Sequence, residues 1–188
     1  IQVYNSRKNL LEILETRGFN TSSYNNFSIS EIGILTEQDQ LDMLLEDSNN
    51  KKIYVKYYIN KVIKPPNVYS IIEDLFYLEN ILTKKDDLMI IVKDEPNDTL
   101  VQTIKDIWMQ DSIYTSTINI KRLQFNILNH VLVPKHTILS KPEEIEFKKK
   151  FNILDNNIPD ISYFSPVSLV LGIRPKDIVK IERKSRTA

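Results

Sequence analysis

Cysteine is missing from this chain, so neither a disulfide framework nor a thiolate zinc site can form. Histidine occurs twice and glycine three times in 188 residues. No His-x-x-x-His pair sits on a helical pattern and no glycine-rich loop is present to cradle a phosphate, which removes two common catalytic scaffolds. No apolar run approaches the roughly 18 residues needed to span a bilayer, so no membrane helix is expected. Net charge is absent as well, with 25 basic and 25 acidic side chains. A strong free-standing DNA binder carries a basic excess, because phosphate neutralisation supplies most non-specific affinity. What remains is ordinary material for a core: 41% hydrophobic residues, enough for one domain or two small ones. The sequence begins at Ile1 rather than Met, so a few N-terminal residues are expected to be missing.

The charge is unevenly divided. Residues 1–125 hold 14 basic and 18 acidic side chains, a balance of −4, whereas residues 126–188 hold 11 and 7, a balance of +4. Either two ordinary solvated surfaces or two domains with different partners would produce this split.

Periodicity in the first part predicts a layered α/β domain. Ser6 is read as the cap of a helix over about residues 7–17, with Leu10, Leu11 and Leu14 on one face and Gly18 as its stop. Residues 21–28, TSSYNNFS, read as a polar loop. Thr36 and Asp39 resemble a capping pair for a helix carrying Leu41, Leu44 and Leu45. Lys52 to Asn60 alternates as a strand, with Ile53, Val55, Tyr57 and Ile59 on one face. After Pro65-Pro66, Asn67 opens a long helix to about Leu82, with Val68, Ile71, Ile72, Leu75 and Phe76 inward. Leu88–Val92 is a short, continuously apolar run, the mark of a central strand. Glu95-Pro96-Asn97-Asp98 opens another helix bearing Leu100, Val101, Ile104, Ile107 and Trp108, and a strand near 112–120 follows.

Character changes after Phe125. Asn126-Ile127 leads into HVLVPKH, residues 130–136. Ser140 and Glu143 form a capping box for a helix over about 141–150, with Pro142 in its first turn, where a missing N–H matters little. Ile158-Pro159 and Ser165-Pro166 are turn or helix-start signals. A short helix ends at Gly172, and Asp177–Arg183 alternates as a strand with Val179 and Ile181 on one face.

Catalytic chemistry is thin. His130 and His136 flank Pro134 without an acidic cluster, so both are read as hydrogen-bonding structural residues, and no metal or other cofactor is expected. A metal-dependent nuclease would need an acid two residues before Lys56 to hold Mg²⁺. Tyr54 stands there instead. One local basic stretch, Lys51, Lys52, Lys56, Lys61 and Lys64, interleaves with Tyr54, Tyr57 and Tyr58. It reads either as lysines guarding an edge strand or as a candidate DNA-facing surface of phosphate contacts.

The order and spacing of the C-terminal pieces carry a resemblance. Asn126-Ile127, His130, Leu132-Val133-Pro134-Lys135-His136, Leu139-Ser140, Pro159, Pro166-Val167, Gly172, Val179-Lys180-Ile181, Arg183, Ser185 and Thr187-Ala188 closely resemble the assembly domain of the fifth subunit shared by the nuclear RNA polymerases, a family with a shorter archaeal counterpart. The first part matches more weakly but collinearly, through Thr16-Arg17-Gly18-Phe19 and its strand–helix–strand pattern. The archaeal counterpart lacks that part, so the chain resembles the two-domain form of eukaryotes and of large DNA viruses that encode their own polymerase.

This resemblance implies an α+β protein: an N-terminal three-layer α/β jaw domain over 1–125, then a small mixed β-sheet and helix assembly domain over 126–188. It implies a non-catalytic subunit of DNA-directed RNA polymerase that docks on the largest subunit and forms part of the lower jaw near downstream DNA. The expected subunit interface is His130, Val133, Pro134, Lys135, His136, Pro166, Gly172, Arg183, Ser185 and Thr187. The implied location is the nucleus for a cellular protein, and a virion or cytoplasmic virus factory for a viral one. A free-standing nucleic-acid-binding or regulatory module is the alternative of a different class. Departures from the family pattern are local. Glu95-Pro96-Asn97-Asp98 replaces a Thr-Pro-Ser-Ala stretch, placing acids where phosphate would lie. Ser165 replaces an Asp before Pro166, and Arg186 replaces a Glu. The family's final Tyr-Arg-Leu-rich strand is expected to be missing, as in a truncated chain.

Overall fold

The computed structural model describes residues 1–183, and the chain separates into two compact units, Ile1–Asn126 and Ile127–Ala188. Expectations for Lys184, Ser185, Arg186, Thr187 and Ala188 lie outside the described residues.

The first unit is built on a four-stranded sheet in the order β1-β2-β3-β4. Strand β1 (Met43–Glu46) pairs antiparallel with β2 (Lys52–Tyr58). Strands β2, β3 (Asp87–Val92) and β4 (Tyr114–Asn119) run parallel. Their crossovers are helical, as parallel pairing requires. The first is α3 (Pro65–Ile72), continued by a π-helical segment Glu73–Leu78, and the second is α4 (Asp98–Asp111). Helices α3 and α4 contact one another, as expected when two right-handed crossovers join successive neighbours and lie on one face of the sheet. Strand β3 is buried along its whole length, as its unbroken apolar run predicts for a central position. Ile53, Val55 and Tyr57 of β2 are buried while the alternate residues are half-exposed, the expected period of two. The N-terminal helix α1 (Gln2–Thr16) contributes Leu10, Leu11, Ile13 and Leu14 to the core.

Three sequence expectations change here. Ser6 does not cap a helix: α1 begins at Gln2, and Ser6 is buried within it, donating to the Val3 carbonyl at 2.7 Å. A serine inside a helix can satisfy its hydroxyl on a preceding carbonyl, which local pattern alone does not separate from capping. Thr36 and Asp39 do not open a helix either. Thr36 lies in the last turn of α2 (Ile29–Glu37), donates to the Ile32 carbonyl, and is followed by strand β1. The true signal is the Ser28–Glu31 capping box, in which Glu31 N donates to Ser28 Oγ and Ser28 N to Glu31 Oε2. Finally, β2 is not an edge strand. It pairs on both sides, so its lysines cannot be edge guards.

The edge of β1 is closed by other means. The Tyr24 hydroxyl donates to the Leu44 carbonyl at 3.3 Å and accepts from Leu44 N at 3.2 Å, occupying both backbone polar groups of Leu44 that an added strand would use.

The second unit pairs β5 (Lys135–Ile138) antiparallel with β6 (Val179–Glu182). Between them lie α5 (Lys141–Phe151) and α6 (Pro166–Leu171). Helix α5 starts on the Ser140–Glu143 capping box, where Ser140 N donates to Glu143 at 2.7 Å. Helix α6 starts on Ser165, which accepts from Ser168 N, and stops at Gly172, whose φ of +70° a side chain would strain. The mixed helix and sheet content of the two units is α+β, as the sequence pattern implies.

Candidate interface surfaces

The second unit has a small core for its size. Its buried hydrophobics, among the described residues, are Leu169, Val170 and Ile173. Against these stand Val131 at 97% and Leu132 at 83% exposure, with Ile138, Ile145, Phe151 and Leu154 also exposed. A unit near 60 residues with so few buried side chains needs external support.

The exposed pair sits in HVLVPKH, whose backbone is held in a defined shape. Val133 N donates to the His130 carbonyl at 2.9 Å, and Leu132 N donates to His130 Nδ1 at 3.3 Å. His136 Nδ1 lies 2.7 Å from the Pro134 carbonyl. Both histidines therefore organise backbone, and the described residues contain no group of three or more potential metal ligands. These local hydrogen bonds hold the loop while Val131 and Leu132 face solvent.

The β5–β6 register gathers part of the expected interface. Lys135 faces Glu182 and His136 faces Ile181, which brings Pro134 and Arg183 to the same end of the two-stranded sheet. His136, Ser168 and Arg183 line a groove of about 680 Å³. Pro166 and Gly172 play a different part: they bound α6, and Gly172 is buried. Pro166 is exposed at the start of that helix. Sequence reasoning missed the other wall, where Ile158, Ile161 and Tyr163 line the groove. The apolar residues spaced between prolines in IPDISYFSP were the available signal. Strands β5 and β6 pair only with each other among the described residues, leaving backbone free for strand addition.

The five lysines of the first unit differ in whether their charge is paired. Lys51 Nζ lies 2.9 Å from Asp87, whose carboxylate also takes Arg17 at 2.7 Å and is almost wholly buried. Lys56 Nζ lies 2.7 Å from Asp42. Lys52, Lys61 and Lys64 enter no ion pair among the described residues. Lys61 shares a small cleft with the loop before α4, beside Lys93, Glu95 and Asn97. Glu95 is charge-paired there: both of its oxygens accept from Arg122, at 3.0 and 2.9 Å. This two-point pairing offsets one of the acids expected to repel phosphate. Around Lys56 the arrangement is not that of a nuclease. Among the described residues Asp42 is its one carboxylate partner by hydrogen bond, and Tyr54 donates to the same oxygen at 3.1 Å. Burial and Asp42 hold the Tyr54 phenol neutral far above its usual range.

Comparison with known proteins adds an independent line. The family model described as RNA polymerase Rpb5, C-terminal domain, matches residues 125–188. Over 65 residues the chain is 46% identical to DNA-directed RNA polymerase subunit Rpo5 of Thermococcus kodakarensis, spanning 35% of this chain and 79% of that protein. It is 44% identical over 66 residues to the Rpo5 subunit of Archaeoglobus fulgidus, covering 87% of it. A longer match, 25% identical over 183 residues, covers 97% of this chain and 90% of the Dictyostelium discoideum protein named DNA-directed RNA polymerases I, II, and III subunit rpabc1.

Proposed function

The chain belongs to the Rpb5/Rpo5 family of DNA-directed RNA polymerase subunits, which are not catalytic alone, and from that premise we propose how its two units divide the work. The second unit, residues 127–188, is the assembly domain and docks on the largest polymerase subunit. The observation that carries this is the inverted apolar balance: Leu169, Val170 and Ile173 buried, against Val131 and Leu132 almost fully exposed on a loop held by local hydrogen bonds. Such a surface is stable when a partner covers it. Pro134, Lys135, His136 and Arg183 at one end of the β5–β6 sheet, with the exposed His130 and half-buried Val133, form the described part of the docking face. Ser185 and Thr187 extend the same motif in sequence.

The first unit is the jaw. Its −4 balance makes it a poor DNA binder by itself. Held beside downstream duplex by other subunits, it contributes phosphate contacts without base readout. Its place of action is that of the polymerase, the nucleus in a eukaryotic cell. The relatives named above are cellular, and the viral expectation gains no support from them.

The test is purification from the native source. The chain is expected to travel with two very large polypeptides at fixed stoichiometry. Recovery as a free protein, with sequence-independent nucleic-acid binding, would favour the free-standing module instead.

A further inference from the structure

Arg7 is buried, at 3% exposure, inside α1. One N–H, on Nη1, donates to the Leu41 carbonyl at 2.6 Å. Its Nε is buried without a hydrogen-bond partner, and no ion pair reaches the guanidinium among the described residues. Asp42, an acid whose charge acts on Arg7, is occupied by Lys56, Tyr54 and the Tyr57 amide. The rings of Tyr24 and Phe27, each 5.5 Å from Cζ, supply partial compensation. Burial holds the group below its ordinary basicity. A buried cation with donors to spare calls for an anion.

A cavity of about 250 Å³ opens at this point, lined by Arg7, Lys8, Tyr24 and Phe27, with Glu12 and Glu15 farther along α1. The cations lie one to two turns from the acids, about 6–12 Å along the helix axis. Charge within the cavity is therefore balanced before any ligand enters. A multiply charged anion would meet Glu12 and Glu15, whereas a single carboxylate on an apolar body would meet Arg7 and the two aromatic walls. We propose that this cavity is a binding site for a monocarboxylate with an apolar or aromatic body, its carboxylate accepting from Arg7. The carboxylate could be that of a free small molecule or the C-terminal carboxylate of a peptide, and both offer the same chemistry.

The full chain carrying ¹⁵N-labelled arginine gives a direct readout, the Arg7 Nε–Hε resonance. Benzoate, a short peptide ending in Phe with a free carboxylate, its amidated form, and inorganic phosphate are the probes. Benzoate or the free-acid peptide is expected to shift the Arg7 resonance saturably, with at least tenfold weaker effects from the amidated peptide and from phosphate. Tighter binding of the peptide assigns a protein source, and tighter binding of benzoate a small-molecule source. Arg7→Met should abolish the response of the Tyr24 ring signals. The idea is overturned if neither carboxylate moves the Arg7 resonance, if phosphate matches them, or if the Tyr24 response persists in Arg7→Met. Should that variant fail to fold, the wild-type titration alone decides.

Discussion

Lys56 Nζ lies 2.7 Å from Asp42 Oδ2, and Asp42 Oδ1 accepts the Tyr57 amide at 3.0 Å. Asp42 therefore ties the entry of β1 to the adjacent strand β2, and Lys56 neutralises it. This is a structural use of a lysine that the sequence offers equally well to metal-assisted hydrolysis or to DNA. The protein is expected to cleave neither DNA nor RNA with Mg²⁺ or Mn²⁺, because the carboxylate pair that would hold Mg²⁺ beside Lys56 is lacking: Tyr54 stands where the second acid would be. Cleavage that vanishes in Lys56→Ala would refute the structural assignment.

The lysines should separate by function. In assembled polymerase, Lys52, Lys61 and Lys64 changed together to Gln should speed release of downstream DNA and flatten its salt dependence, with sequence preference unaltered. Lys51→Gln and Lys56→Gln should act mainly on stability, by about 0–1 kcal/mol each, since both lysines are partly exposed. DNA dissociation across a salt titration, beside denaturant melts of each variant, checks the division. Unchanged release by the triple variant would remove the DNA role from this face.

Asp87 holds Arg17 and Lys51 with its side chain only 1% exposed. Asp87→Ala should lower stability by roughly 3–5 kcal/mol, the usual cost of leaving a buried partner charge uncompensated. Urea denaturation of the full chain measures this. A loss below about 1 kcal/mol would show that Arg17 finds another partner.

The buried Tyr57 phenol is pushed up to about 12, chiefly by desolvation. In the unfolded chain it ionises near 10. The folded form therefore binds its proton more tightly, so this contribution is complete below about pH 10 and is lost as pH rises from about 10 to 12. Tyr57→Phe should show a shallower fall in stability than the parent over that interval. Parallel curves for the two proteins would place the Tyr57 hydroxyl in contact with water.

Pro134→Ala with His136→Ala should weaken incorporation into polymerase more than it weakens folding. The loop hydrogen bond from His136 to the Pro134 carbonyl is local, and the exposed Val131 and Leu132 belong to a docking surface rather than to a core. Quantitative co-purification, set against the melting curve of the isolated double variant, tests this. Wild-type stoichiometry in the complex would count against the docking face.

Much of this molecule follows from its sequence alone. The unbroken apolar run of β3, the alternation of β2 and the Ser140–Glu143 box each depend on neighbours within a few residues, so local pattern suffices. Where a competing local bond exists, pattern fails. Ser6 could cap or turn inward, and only packing against the Tyr57 hydroxyl, 3.5 Å away, accompanies the second choice. The stretch 41–46 carries leucines compatible with a helix, yet pairing with β2 makes it a strand. The family resemblance of residues 126–188 was legible because ordered anchors over a short span carry it. The roles of Lys51, Lys56 and Arg7 were not legible, because Asp87, Asp42 and Tyr24 are distant in sequence. Whether a cation is spent or free is decided by what the fold brings beside it.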